Sequence, residues 1–177
     1  MPMPGTLGPN LFGQLKETPS YSPSKILTNY TLEQSMNEQS DHPAIQANID
    51  SIRLASEGDK DAWLDLYADD AVVQDPVGIS PFDATGDGHV GKEAIAKFWD
   101  DVIGPSNITL TVHTRIPSGD RACAVHQTAT NDMGGGIKTE VDMIAIYELN
   151  DDGKIKRMSA FWSWAAMEEQ LKQLGLM

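Results

Sequence analysis

The segment YADDAVVQDPVG, Tyr67 to Gly78, sets an aspartate, Asp75, between a short apolar run and a proline. Ala71-Val72-Val73-Gln74 carries two β-branched residues and reads as a strand, which Asp75-Pro76 stops because proline cannot donate to a ladder. An unpaired carboxylate costs several kcal/mol, roughly, to bury, so one placed at the end of an apolar strand needs solvent, a turn to cap, or a chemical use.

Upstream of this strand the pattern is helical. Ile45, Ile49 and Ile52 recur at helical spacing to about Ser56, after a start near Ser40-Asp41, where a capping residue precedes Pro43. Glu57-Gly58-Asp59 breaks the chain, and Asp59 can cap a second helix carrying Trp63, Leu64, Leu66 and Tyr67. Residues 1–40 are rich in Pro, Ser, Asn and Gln and hold no sustained period, so they read as a flexible N-terminal extension preceding one folded domain, 41–177.

Downstream, after the loop VGISPFDATGDGHVG, Lys92 to Ile103 reads as a third helix with Ile95, Phe98, Trp99 and Val102 on one stripe. Beyond Gly104-Pro105 the texture turns to β. The runs 108–116, 121–130, 137–149 and 155–164 are separated by turn signals, and a short amphipathic helix, 165–174, follows. Three helices and a short strand before a long antiparallel meander give an α+β class, with helices covering one face of a curved sheet. Such a cone has an apolar interior suited to a small molecule.

Composition narrows the partners. There are 26 acidic against 13 basic residues, a formal charge of -13, which repels nucleic acid and anionic membranes. Eleven of the acids but three of the bases fall between Asp59 and Asp101, the pattern of a solvated helical face. A single cysteine, Cys123, forms no disulfide within the chain, and no basic start followed by an apolar run marks a leader, so a cytoplasmic protein is expected. The loop Asp83-Ala84-Thr85-Gly86-Asp87-Gly88 imitates the opening of a calcium loop. Its twelfth position is Ala94 rather than Glu, so no metal is expected there.

YADDAVVQDPVG resembles the helix-end, strand and Asp-Pro signature of bacterial ketosteroid isomerases, members of the NTF2-like and SnoaL-like superfamily. Gly91 to Trp99 resembles that family's third helix, and Asp152 to Ile155 with Met158 to Ser163 resembles its last hairpin and strand. The resemblance implies an NTF2-like cone and a homodimer that covers the outer sheet face. It also implies a cofactor-independent isomerase that moves a proton in a hydrophobic unsaturated ketone, with Asp75 as general base.

The family's enolate is held by a tyrosine on the first helix and a protonated aspartic acid on a long strand. In an ungapped comparison these places fall on Ser51 and Ala145, so both of the family's donors are missing. Trp99, Ser51 and His126 are the available substitutes, with Trp99 and His126 expected to be catalytic, and Tyr67, Ser51, Met143, Ala145 and Trp162 are expected to touch substrate. Asp142, three residues from Ala145, should face the other side of the sheet. Two missing donors keep other functions open: a SnoaL-like cyclase, a hydratase or dehydratase on another enolisable substrate, or a non-catalytic protein that holds an apolar ligand.

Overall fold

The computed structural model describes residues 41–177; the expected extension, 1–40, lies outside the described residues. Helix α1 spans Pro43–Glu57 and ends at Gly58, whose φ of 70° supplies the left-handed cap. Its N-cap is His42, without a side-chain cap bond, rather than the Ser40-Asp41 pair. Proline in the first turn has no N–H to satisfy, which lessens the need for a capping side chain. Helix α2, Lys60–Asp65, begins as its sequence predicts: Asp59 accepts from the Ala62 N–H at 3.1 Å.

Strand β1 runs Tyr67–Gln74, four residues longer at its start than its β-branched core suggests. Tyr67 and Ala68 are buried, Asp69 and Asp70 are exposed, and the register against the neighbouring strand shifts between Tyr67 and Val72. The two aspartates sit in an irregularity that lets the strand start early without burying charge. A two-residue strand β2, His89–Val90, pairs with β1 and leads into α3, Gly91–Phe98. The third helix then widens into a π-helical turn, Trp99–Ile103, closed by the Gly104 N–H to the Trp99 carbonyl at 2.8 Å.

The meander follows as β3 (Ile108–Ser118), β4 (Ala122–Gly134), β5 (Ile137–Leu149) and β6 (Ile155–Phe161), and the chain ends in α4, Trp164–Gln173. One six-stranded sheet results, in the order β2-β1-β6-β5-β4-β3. Every pairing is antiparallel except β1 with β6, which is parallel. Strand β5 shows how the sheet chooses its faces. From Thr139 to Leu149 its odd-numbered residues are buried and its even-numbered ones are more exposed, the period-two signature of a sheet covered on one side. The covered face packs against the helices over a core that includes Trp63 of α2, Tyr67 of β1 and Ile95, Phe98 and Trp99 of the third helix.

Candidate functional site

The helices do not fill the concave side of the sheet. They leave a cavity of about 560 Å³ whose wall is mostly apolar, with Ile52, Phe98, Val102, Val141, Met143 and Ala145 among its lining. Asp75 projects into this wall where β1 ends. The chain turns there through a cis Asp75–Pro76 bond, and the Val77 N–H is tied to the Ala160 carbonyl at 2.8 Å, which docks the turn on β6. From the segment after β6, the Trp162 indole N–H donates to Asp75 Oδ1 at 2.5 Å.

Burial lifts the Asp75 carboxyl from 3.8 to about 6, although the Trp162 hydrogen bond pulls the other way. The carboxyl is half-buried. Partial accessibility and a strong burial effect are compatible here, because the group opens onto an apolar cavity and exchanges bulk water for protein walls. The result is a carboxylate that is ionised at neutral pH and more basic than an exposed aspartate, the property a general base requires.

Polar groups also gather around Ser51. Its hydroxyl accepts from the Trp63 indole N–H at 3.0 Å, and the Tyr147 phenol, the Tyr67 phenol and Asn48 surround it. Burial pushes the Tyr147 phenol above its ordinary value, Ser51 and Asn48 pull it down, and the Asp75 charge pushes it up. Tyr67 is raised further, first by burial and then by Tyr147, with Ser51 opposing them; among the described residues its hydroxyl has no partner in hydrogen-bonding geometry. Both phenols therefore stay protonated at neutral pH, as donors. Tyr147 lines the cavity, whereas Tyr67 stands behind it.

Of the residues expected at the site, Asp75, Ser51, Met143, Ala145 and Trp162 share the cavity wall. Trp99 does not reach that wall. It is buried behind Trp63, ring centres 5.0 Å apart, because the π-helical turn aims it into the core. His126 is placed on the opposite face, with a side chain 43% exposed and paired to Asp142, so the expectation of His126 in the cavity is corrected. Gln127, its neighbour in β4, is the buried residue that lines the cavity. Tyr147 went unnoticed in the sequence, although a signal was present: it is two residues from Ala145 in a strand, and i and i+2 share a face.

Two further pieces close the cavity. The loop after Asp75 contributes Phe82, whose ring meets Trp164 edge-on with centres 5.4 Å apart. Asp83 organises that loop: it accepts from Thr85, Gly86 and Gly88 N–H groups at 3.1, 3.0 and 2.6 Å, so the residue that suggested a calcium loop serves the turn. Helix α4 presents Trp164, Met167 and Leu171 to the cavity. It is fastened by a reciprocal pair, the Glu140 N–H to Gln170 Oε1 at 2.9 Å and Gln170 Nε2 to the Glu140 carbonyl at 2.7 Å.

Residues 49–158 match the profile of the SnoaL-like domain. The chain belongs to this family. Among solved structures, the SnoaL-like domain is similar to RV0760c from Mycobacterium tuberculosis, with 32% identity over 72% of this chain and 96% of that one, TM-score 0.68. It is equally similar to the delta 5-3-ketosteroid isomerase from Mycobacterium sp., with 32% identity over 71% and 96%, TM-score 0.67. RV0760c has also been solved with estradiol-17beta-hemisuccinate. The epoxide hydrolase/cyclase-like enzyme SalBIII, at 19% identity over 70% of this chain and 92% of that one and a TM-score of 0.59, shares the fold. This SnoaL-like domain is thus a ketosteroid isomerase-like member of the NTF2-like superfamily, and among its described residues no helix is long and apolar enough to cross a membrane.

Proposed function

We propose that the protein catalyses cofactor-independent proton transfer on a hydrophobic ketone, converting a β,γ-unsaturated ketone to its conjugated isomer. Asp75 takes the proton from the carbon beside the carbonyl, the negative charge moves to the carbonyl oxygen, and the protonated Asp75 returns the proton to the γ carbon. No electrons leave the substrate and no other reactant is consumed. The observation that carries this reading is the Asp75 carboxyl, raised to about 6 on the wall of a large apolar cavity.

Tyr147 is the donor for the developing enolate in this reading. The resemblance puts Ser51 and Ala145 at the places of the isomerases' donors, and Tyr147, next to Ser51 and on the same strand face as Ala145, would supply a phenolic O–H there. A buried phenol is a stronger hydrogen-bond partner for a developing charge than the same group in water. The ketosteroid isomerase and the estradiol derivative complex of RV0760c, at 32% identity, support a rigid polycyclic ketone as the substrate class.

The test is an ultraviolet assay for conjugated enone with a panel of β,γ-unsaturated ketones, run beside titration with a product-like steroid. Asp75→Asn should abolish turnover and keep ligand affinity within a small factor. Tyr147→Phe should lower kcat by roughly 10²-fold, the order seen for loss of one oxyanion donor. Turnover undiminished in Asp75→Asn would overturn the mechanism. A second reading, a binding protein without turnover, draws on the apolar Ala145 at the acid's place, and steroid binding without enone formation by the wild type would establish it.

A further inference from the structure

On the face of the sheet away from the cavity, three adjacent strands bring His113, His126 and Asp142 together. Their donor atoms all lie within 4.8 Å of one another. His113 is the extra residue of a bulge in β3, where the register against β4 shifts between Val112 and Thr114. A bulge places two residues opposite one and re-aims a side chain. Here the His113 ring comes to lie beside the ring of His126, centres 4.8 Å apart.

The polar atoms of this group form a ladder that ends on one oxygen. His113 Nε2 is 2.8 Å from Thr128 Oγ1, Thr128 donates to Asp142 Oδ1 at 3.3 Å, and His126 Nε2 lies 2.9 Å from the same oxygen. The His126 ring and the Thr128 hydroxyl thus meet one carboxylate oxygen, and the His113 ring reaches it through Thr128. A cation here would take a lone pair from one ring nitrogen of each neutral imidazole and from the carboxylate. Imidazole nitrogens suit Zn²⁺, Cu²⁺ and Ni²⁺ and suit Mg²⁺ and Ca²⁺ poorly.

We propose that His113, His126 and Asp142 form a surface site for a divalent transition-metal ion of the zinc type, separate from the cavity. The three ligands come from β3, β4 and β5, so the hydrogen-bonded sheet fixes their spacing. Donors around a tetrahedral zinc stand about 3.3 Å apart at the usual bond lengths. The widest separation here therefore closes by a side-chain rotation of about an ångström or two, within ordinary rotamer freedom. With three protein ligands one tetrahedral position is left for water or an outside group, and Thr128 is placed to hydrogen-bond whatever ion-bound group results.

The test uses the full chain, stripped with chelator, titrated calorimetrically with ZnCl₂, and followed with CoCl₂ by visible absorption. Saturable binding in the micromolar range with d–d bands of a tetrahedral nitrogen–oxygen site is expected. His126→Ala and Asp142→Asn should each weaken zinc by at least roughly tenfold, with circular dichroism unchanged, while His89→Gln, a histidine stacked on Phe98, should leave zinc affinity alone. Absence of saturable zinc binding, or binding that survives both ligand substitutions, would overturn the proposal and leave the cluster as a hydrogen-bond ladder only. If His126→Ala were to unfold the chain, His113→Gln gives the same reading from the bulged strand.

Discussion

The indole of Trp162 donates its N–H to the carboxylate of Asp75 at 2.5 Å, joining two residues 87 positions apart. The bond opposes burial: the bond lowers the pKa of Asp75 and burial, the larger effect, raises it, to a balance at about 6. Trp162 therefore both orients the carboxylate and limits its basicity.

Removing that donor should move the balance in a known direction. In Trp162→Phe the burial effect remains and the opposing hydrogen bond is gone, so the Asp75 pKa should rise above about 6. The acid limb of the kcat/KM profile for enone formation should move to higher pH. A carbon-13 titration of the labelled carboxyl checks the shift without reference to turnover, and a downward or absent movement would refute the assigned roles.

Asp75 also makes a prediction about stability. Its folded pKa of about 6 exceeds the ordinary 3.8, so between these values the folded chain binds more protons than the unfolded chain. Stability attributable to this group is greatest below the lower value and falls as pH rises toward the upper one. Asp75→Asn removes the cost of burying the charge. The variant should be more stable than wild type by ~1 to 3 kcal/mol at about pH 8, discounted for the partial accessibility of the carboxyl, with the advantage vanishing near pH 3. Urea melts at the two pH values test the sign.

Gly88 is predicted to resist substitution. Its φ is 93°, and a Cβ there would lie 2.7 Å from Gln74 Cγ and 2.8 Å from Val72 Cγ1. Gly88→Ala meets both a left-handed backbone and side chains of a paired strand, and should cost ~1 to 3 kcal/mol. Gly58→Ala, at a φ of 70° with nothing within 4 Å, isolates the backbone contribution alone and should cost less by thermal melt.

The Gln170 pair on Glu140 should govern how firmly α4 closes the cavity. Gln170→Ala deletes two hydrogen bonds to a strand backbone, for a loss of ~1 to 2 kcal/mol. Hydrogen exchange of the α4 amides should quicken, and dissociation of a bound fluorescent steroid should speed up more than its association. Unchanged exchange in α4 would show that Trp164, Met167 and Leu171 hold the helix without this pair.

Much of this architecture is carried by local pattern. The alternation in Ile137–Leu149 marks a half-covered strand from end to end, Asp59 starts its helix, and Pro76 ends β1, because each depends on the chemistry of neighbouring residues alone. The placement of Asp75 at the end of an apolar strand was legible for the same reason, whereas Tyr147 is absent from the expected site residues although it shares a strand face with Ala145. The parallel β1–β6 pairing was not legible, since period fixes which face a residue takes and not which strand lies alongside. Nor was the face of His126, whose strand alternates weakly.

The amino-acid sequence by itself determined most of the elements, the faces of the strongly alternating strand β5 and the carboxylate that stands at the end of β1. Only the tertiary structure decided what meets that carboxylate: sheet pairing delivers Trp162 from beyond β6, and the curvature of β5 over α1 brings Tyr147 to Ser51. Those contacts join segments far apart in the chain, and their geometry follows from strand order and helix packing, which act on the whole domain at once.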